Sequence, residues 1–424
     1  MPDRHNLKFQ GGAECGPSFG SKKSIMLRCN KSHCSWLGVQ VGAGLVGDRR
    51  DPRMRNIADT IARLNAARGM GRASTQSSRL AEITDFGTNP GALRAHSYVP
   101  EGLPRSAPLV VVLHGCTQTA AGYDHGSGWS TLADQRGFAL LYPEQQRANN
   151  PNLCFNWFVP GDIRRDAGEA LSIAQMIETM VTTHRLDARR VFVTGLSAGG
   201  AMASVMLATY PEVFAGGAVI AGLPFGCAAS VPEALDRMRG HGLPRGEVLQ
   251  SALRDASDHD GPWPTVSVWH GTRDATVLPV NADAVVAQWR GVHGVGPKPT
   301  ETDTVSGHVR RVWRDASGAA KIEEFQVAGM GHGTPLRAGD GIGAPGAFML
   351  DAGLSSTRHI ADFWQLPEIS GAVDRAHETP TPKIVAPRPN PGGRASADGP
   401  PANAVAAGVG KVIEDALRAA GLMR

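Results

Sequence analysis

The sequence predicts an α/β fold with a mainly parallel sheet, helices on both faces and a cap-like insertion. Three observations lead to this prediction. Short apolar strands alternate with longer helical patterns between about residues 95 and 365, a Gly-rich strand-to-helix turn carries a serine, and a stretch rich in Pro, Gly and charge, 223–262, interrupts the alternation. Strands that alternate with helices form parallel sheets covered on both faces. We expect residues 223–262 to form a cap or lid over the carboxyl ends of the strands, where such sheets bind ligands.

Six apolar segments are predicted to be strands: Leu109–Leu113, Ala139–Tyr142, Val191–Thr194, Gly217–Ala221, Val266–Trp269 and Ile322–Val327. One helix is predicted between the second and third strands, where apolar residues recur from Ile173 to Val181 at helical spacing. A second helix, Ala198–Thr209, follows the third strand. These elements define a domain that we place at residues 85–367.

The composition narrows the function classes. The chain has 424 residues, of which 42% are apolar and 19% charged, and it lacks an apolar run long enough to span a bilayer. The sequence therefore excludes a disordered chain and a helical membrane protein. The formal charge of +4 comes from residues 1–53, which carry nine Lys/Arg against four Asp/Glu, so no nucleic-acid partner is expected.

The basic leader, 1–53, gives conflicting signals. Its weakly apolar stretch, Trp36 to Gly47, resembles part of a signal peptide, but Arg49–Arg50 stand where small residues should form a cleavage site. Met54 opens an amphipathic pattern, so we predict an N-terminal helix and connector at 54–84. We hypothesise that Met54 is the true initiator and that the leader has no structural role.

The C-terminal region is predicted to have two parts. Residues 368–403 form a Pro-rich linker, with seven prolines in 380–401, and residues 404–424 show the apolar stripe of an amphipathic helix. We expect this helix to pack on its own domain or on a second copy of the chain. Contact with a membrane or polymer surface is the alternative.

No metal or cofactor is predicted. Cys29, His33 and Cys34 lie close together near Cys15, but their spacing matches no standard zinc finger. The Gly-Leu-Ser-Ala-Gly-Gly segment, 195–200, lacks the spacing of a dinucleotide-binding loop.

Ser197 is the predicted nucleophile. It stands in Gly195-Leu-Ser197-Ala-Gly199, between an apolar strand and a small-residue helix, which is the context of a nucleophile elbow. The sharp turn strains the serine backbone and admits only small neighbours. A serine hydroxyl also needs a base to take its proton. In this arrangement the acid follows the serine in the chain, and the base follows the acid.

Asp274 and His332 are the predicted acid and base. Asp274 follows the strand Val266–Trp269, and His332 follows Ile322–Val327 in a Gly-Met-Gly-His turn. The aspartate would hold the histidine in the tautomer that accepts the serine proton.

Other acids and histidines fit less well. Asp255, Asp258 and Asp260 precede the strand instead of following it, and His308 and His359 lack the strand-then-Gly context.

The backbone N–H groups of Cys116 and Ala198 are the predicted oxyanion hole. Ala198 follows the nucleophile, and Cys116 lies in the loop after an earlier strand, as this chemistry requires. We expect His114 to be a structural hydrogen-bonding residue and not a second base, because it ends a buried strand.

Four motifs together resemble the poly(3-hydroxybutyrate) depolymerase family of esterases and its feruloyl and acetylxylan esterase relatives. They are Leu-His-Gly-Cys-Thr-Gln (113–118), Cys-Phe-Asn-Trp-Phe (154–158), Gly-Leu-Ser-Ala-Gly-Gly (195–200) and Gly-Met-Gly-His (329–332). The resemblance covers roughly residues 85–365 and implies the α/β-hydrolase fold. It assigns the triad to the same serine, aspartate and histidine.

The resemblance also implies features that the residues alone do not establish. Cys116 and Cys154 would form a disulfide beside the active site, and Asn156 and Trp157 would lie near the substrate. Secreted polymer depolymerases of this kind usually carry a further linker and polymer-binding domain, which the sequence does not show. An extracellular location is implied, whereas the leader lacks a clean signal peptide, so a cytoplasmic location stays open.

The function implied is a serine esterase that hydrolyses poly(3-hydroxybutyrate) or related hydroxyalkanoate oligomers through an acyl-enzyme. A feruloyl or acetylxylan esterase and an acyltransferase stay open, since the sequence does not place the pocket residues. The non-enzymatic alternative is a module that binds polymer granules through the C-terminal helix. The complete triad argues against it, because a binding module needs none of the three groups.

Overall fold

The computed structural model describes residues 78–367. The predictions for the leader, for residues 54–77, for the linker 368–403 and for the helix 404–424 lie outside the described residues. The same holds for the Met54 hypothesis and for the cysteines of the leader.

One ten-stranded sheet forms the centre of the described region, in the order β1-β2-β4-β3-β5-β6-β7-β10-β9-β8. Its strands are β1 (Ala81–Ile83), β2 (Arg94–Tyr98), β3 (Leu109–Leu113), β4 (Ala139–Glu144), β5 (Val191–Leu196), β6 (Gly216–Ile220), β7 (Thr265–Gly271), β8 (Glu301–Val305), β9 (His308–Arg314) and β10 (Ala320–Val327). Neighbours from β4 to β10 pair in parallel, and the strands at either end pair antiparallel. A small parallel pair joins β11 (Thr334–Leu336) and β12 (Met349–Asp351).

Eight α-helices lie within residues 78–367. They are α1 (Ala120–Ser127), α2 (Trp129–Arg136), α3 (Gly168–His184), α4 (Ala198–Thr209), α5 (Val231–Met238), α6 (Gly246–Arg254), α7 (Val280–His293) and α8 (Ser356–Phe363). The six predicted strands and the predicted helix Ala198–Thr209 are all present, within two residues of their predicted bounds. The fold is the predicted α/β-hydrolase fold.

The sheet lies between two apolar layers, and β3 shows why its sequence is apolar throughout. Leu109, Val111 and Leu113 belong to the core on one face, whereas Val110 and Val112 belong to the core on the other. Because successive side chains of a strand point to opposite faces, a strand buried on both sides needs an unbroken apolar run.

The segment 223–262, predicted to be a cap, contains α5 and α6. Helix α6 packs along α7, where the Gln288 side chain donates to Leu249 O at 2.8 Å. The end of α5 lies beside the loop that follows β7, because Leu278 N–H donates to Met238 O at 2.8 Å. Closure of this segment over the site stays a prediction.

Candidate active site

Ser197 lies at the tip of the turn between β5 and α4. Its backbone has φ 59° and ψ −117°, a conformation that costs a non-glycine residue roughly 1–3 kcal/mol. Small neighbours are required here, because a Cβ at Gly199 would lie 2.3 Å from Leu113 O and one at Gly195 would lie 2.4 Å from the Gly199 carbonyl carbon. The strain turns the partly exposed Ser197 side chain out of the sheet at its carboxyl edge.

Asp274 and His332 meet across the loops that follow β7 and β10. His332 Nδ1 lies 2.7 Å from Asp274 Oδ2, and the aspartate is 2% exposed. The two loops interlock, since Arg273 N–H donates to Met330 O at 2.9 Å. A Cβ at Gly271 would lie only 2.3 Å from that same oxygen, so only glycine allows this approach.

The carboxylate of Asp274 is held by hydrogen bonds on both oxygens. Oδ1 accepts from the backbone N–H groups of Thr276 and Val277, each at 2.9 Å, while Oδ2 faces His332 and lies 3.4 Å from His270 Nε2. Burial opposes ionisation, but the charge of His332 and the bonds from both histidines outweigh it and hold the pKa of Asp274 well below its usual range. Asp274 is therefore ionised at neutral pH and accepts the Nδ1 hydrogen of His332.

The amides predicted to form the oxyanion hole belong to Ala198, which follows the nucleophile, and to Cys116 in the loop after β3. Ala198 is the first residue of α4, so its N–H is one of the helix-terminal amides without a helical acceptor. Gly115, which precedes Cys116, packs against the backbone of Leu196, since a Cβ at Gly115 would lie 3.4 Å from Leu196 O. Within residues 78–367 the Cys116 N–H donates to no other protein group. The oxyanion hole formed by these two amides stays a prediction.

Cys116 and Cys154 form a disulfide, as the family resemblance implies. A backbone hydrogen bond joins the same two loops, because Thr117 N–H donates to Asn152 O at 2.7 Å. The loop that carries Cys116 is therefore attached to the loop that carries Cys154 twice, by the disulfide and by this hydrogen bond.

Asn156 and Trp157, predicted to lie near substrate, are both buried, at 9% and 7% exposure. The Asn156 amide accepts from Asn150 Nδ2 at 3.0 Å and donates to Asp162 Oδ2 at 3.1 Å. The Trp157 ring packs edge-on against Phe158. These contacts favour a structural role for Asn156, whose polar atoms are already paired within the protein.

Two neighbours of the acid and base were not assigned roles from the sequence. His270 stands four residues before Asp274, in the same His-Gly-Thr-Arg-Asp segment. This spacing is a sequence signal that could have indicated a contact between the two residues. Phe348 packs its ring edge-on against His332 at a centroid distance of 6.1 Å. No local signal marks Phe348, which reaches the site from beyond a Gly-rich loop.

Residues 78–367 contain no group of three or more His, Cys, Asp or Glu side chains that could hold a metal ion. None of the helices in that range is long and apolar enough to cross a membrane.

Comparison with known proteins points to esterases. The family model described as "Esterase PHB depolymerase" matches residues 93–299. Poly(3-hydroxyalkanoate) depolymerase C of Paucimonas lemoignei is 47% identical over 290 residues, which cover 67% of this chain and 70% of that protein. Feruloyl esterase B of Talaromyces stipitatus is 31% identical over 265 residues, covering 60% of this chain and 72% of that protein.

A solved structure gives the same result. The acetyl xylan esterase from Aspergillus awamori is 30% identical and superposes with a TM-score of 0.56, covering 60% of this chain and 93% of that one.

Proposed function

The chain belongs to the PHB depolymerase family of esterases, which are carboxylic ester hydrolases, and we propose that Ser197, His332 and Asp274 are its catalytic triad. The observation that carries this proposal is the 2.7 Å hydrogen bond between His332 Nδ1 and Asp274 Oδ2, at the sheet edge where the partly exposed Ser197 lies. The bond leaves Nε2 of His332 as the nitrogen that takes the serine proton.

The reaction then proceeds through an acyl-enzyme. Ser197 Oγ attacks the ester carbonyl carbon while His332 Nε2 takes its proton, and the N–H groups of Cys116 and Ala198 receive the oxyanion. Collapse of the tetrahedral intermediate breaks the bond to the alcohol, which leaves with the proton from His332. Water attacks the acyl-enzyme by the same route and releases the acid.

The substrate class that we propose is a poly(3-hydroxyalkanoate) or its short oligomers. It is supported by the 47% identity to a depolymerase of that polymer, against 31% to a feruloyl esterase. A feruloyl or acetylxylan esterase is the second candidate, supported by the similar fold of the acetyl xylan esterase.

A panel of substrates tests this choice. Initial rates are measured on 3-hydroxybutyrate oligomers, amorphous polymer, methyl ferulate and acetylated xylan, with Ser197→Ala as the control. We expect the hydroxybutyrate substrates to have the highest kcat/KM and the variant to lose about 10⁶-fold in kcat. Preference for ferulate or xylan would overturn the substrate class, and a variant within tenfold of wild type would overturn the nucleophile.

The compartment and the partners follow as further proposals. A disulfide beside the active site favours an oxidising compartment, so we propose that the protein acts outside the cytosol. Alkylation of free thiols before cell lysis tests this, since a reduced Cys116 and Cys154 pair in the native host would contradict it. Contact with a granule or a second copy through residues 404–424 concerns residues outside those described.

A further inference from the structure

Phe348 occupies a turn position that glycine or asparagine ordinarily fills. Gly346 N–H donates to Met349 O at 3.0 Å and Met349 N–H donates to Gly346 O at 3.1 Å, so Ala347 and Phe348 form a two-residue turn between them. The φ of Phe348 is 63°, and a positive φ at the third residue of a turn favours glycine or asparagine. Phenylalanine is therefore strained here, and strain of this kind concentrates at functional sites.

Core packing alone does not explain a phenylalanine at this position. The next residue, Met349, is buried at 4% exposure and packs against Gly126, where a Cβ would lie 2.5 Å from Met349 Cγ. Phe348 itself is only partly buried, and its ring lies edge-on to His332 with an angle of 83° between the ring planes. Met349 thus completes the core, whereas part of the Phe348 ring stays open to solvent beside the proposed base.

The backbone that carries this ring is attached on two sides. Thr334, two residues after His332, donates its N–H to Phe348 O at 2.8 Å, and its hydroxyl lies 3.1 Å from the Tyr123 hydroxyl of α1. The loop that leads to the turn is attached to the end of the same helix, because Ala344 N–H donates to Gly126 O at 2.9 Å. The Phe348 ring is therefore held beside His332 by contacts with both β11 and α1.

The leaving alcohol must share the surroundings of His332 with this ring. In the proposed reaction the alcohol oxygen takes its proton from Nε2, so it lies within hydrogen-bond distance, about 3 Å, of that nitrogen. Nδ1 faces Asp274 at 2.7 Å, which leaves the rest of the imidazole for Phe348 and for the alcohol. In a hydroxyalkanoate the carbon that bears this oxygen also bears an alkyl branch, and an apolar branch is stabilised by contact with an aromatic ring.

We propose that Phe348 is a specificity-determining residue, which forms an apolar wall on the alcohol side of the substrate cleft and contacts the alkyl branch next to the leaving oxygen. This inference rests on the proposed ester hydrolysis by Ser197 and His332. The acyl side of the substrate, which is bonded to Ser197 in the acyl-enzyme, does not depend on this ring.

Two series of esters separate the two sides of the substrate. The alcohol series contains the isopropyl, 2-butyl and 2-pentyl esters of 3-hydroxybutyrate, in which the branch grows by one methylene at a time. The acyl series contains p-nitrophenyl acetate, butyrate and hexanoate, which share one alcohol. The measured quantities are kcat and KM of wild type, Phe348→Ala, Phe348→Gly and Phe348→Leu.

The expected effect follows from the value of a methylene. A methylene moved from water to an apolar site improves binding by up to about fourfold, and the ring is partly exposed, so we expect about two- to fourfold in kcat/KM for each methylene of the branch in wild type. The ratio of 2-pentyl to isopropyl ester should therefore be about 4- to 16-fold. In Phe348→Ala and Phe348→Gly it should fall below about twofold, mainly through KM, whereas Phe348→Leu should keep most of it. The ratios within the acyl series should stay within twofold of wild type in all three variants.

Phe363→Ala is the matched control. Phe363 is also partly buried and packs against the same apolar layer as Phe348. It lies near the opposite edge of the sheet, since Arg190, which directly precedes β5, donates to Gln365 O at 3.0 Å. This control loses an equivalent ring, and we expect both of its substrate ratios to match wild type.

The glycine variant tests the strain and keeps the turn. It lacks the ring as the alanine variant does, but it adopts a positive φ without cost, so it should melt about 2 °C or more above Phe348→Ala.

Three results would overturn the inference: an alcohol-series ratio unchanged in Phe348→Ala and Phe348→Gly, a loss of equal size in both series, which indicates a merely structural support of His332, or a glycine variant that melts below the alanine variant. Ser197→Ala keeps these outcomes apart from the proposed function, because its inactivity on both series would uphold ester hydrolysis while the role of Phe348 failed.

Discussion

Replacing Asp274 by Asn tests the proposed triad through the tautomer of His332. Oδ1 of Asp274 accepts two backbone N–H groups, from Thr276 and Val277. An asparagine therefore keeps its oxygen on that side and turns its NH₂ toward His332. The ring must then accept at Nδ1 and carry its hydrogen on Nε2, so it no longer takes the proton of Ser197.

The size of the effect follows from this reversal. Because asparagine has the shape of aspartate and keeps both backbone bonds, we expect the variant to fold and to bind substrate with a similar KM. Loss of the correct tautomer should lower kcat by about 10⁴-fold, equivalent to about 5.5 kcal/mol of transition-state stabilisation.

The assay is the hydrolysis of p-nitrophenyl butyrate at pH 7, with melting temperature as a check on folding. Asp258→Asn is the matched control, since Asp258 is exposed and precedes β7. We expect the control to have wild-type kcat. An Asp274→Asn variant that melts normally and keeps more than a tenth of wild-type kcat would refute the reasoning and move the role to another carboxylate.

Three further predictions concern stability. Replacing Cys116 and Cys154 by Ser opens a loop with a sequence separation of 38. The loss of this cross-link should lower the unfolding free energy by about 4 kcal/mol and the melting temperature by about 6 °C. Calorimetry without reductant checks this, and an unchanged melting temperature would contradict the prediction. Burial raises the pKa of Glu169 from 4.5 to about 8, although the groups that donate hydrogen bonds to its carboxylate act to lower it. Between those pH values the folded protein therefore keeps a proton that the unfolded chain loses. The unfolding free energy of wild type minus that of Glu169→Gln, both measured in urea, should therefore fall from pH 5 to pH 8. The same difference at both pH values would argue against this. Gly199→Ala should melt several degrees below wild type because its Cβ would clash with backbone carbonyls, whereas Gly161→Ala, with open space around it, should not.

The central strands could be predicted because their signal is local. A parallel strand buried on both faces is a continuous apolar run, so each of the six was visible in its own residues. The edge strands were not predicted, and β9 shows the reason. Arg310 and Arg311 interrupt its apolar pattern, and their partners, Glu323 and Glu324, come from the next strand in the sheet.

The difference between local sequence signals and contacts with distant segments also separates the predicted from the unpredicted parts of the candidate site. Ser197, Asp274 and His332 could be predicted as a candidate triad because each follows a strand, and the parallel order brings the strand ends to one edge. The hydrogen bonds from Gln145 to Glu169 and to His114 join distant segments, and no spacing pattern indicates them. Motifs therefore predict the groups that we propose to react, whereas the surroundings that orient them required the fold.

Phe348 shows how such surroundings are maintained. Its backbone has φ 63°, which is costly for a bulky residue, yet its ring lies edge-on to His332. The neighbouring backbone holds this conformation, since Thr334 N–H donates to Phe348 O at 2.8 Å, next to the pairing of β11 with β12. The same contact admits only glycine at position 333, where a Cβ would lie 2.7 Å from that carbonyl. The residues directly after His332 thus hold the backbone of Phe348, whose ring packs against the histidine, so the small β11–β12 pair borders the candidate site.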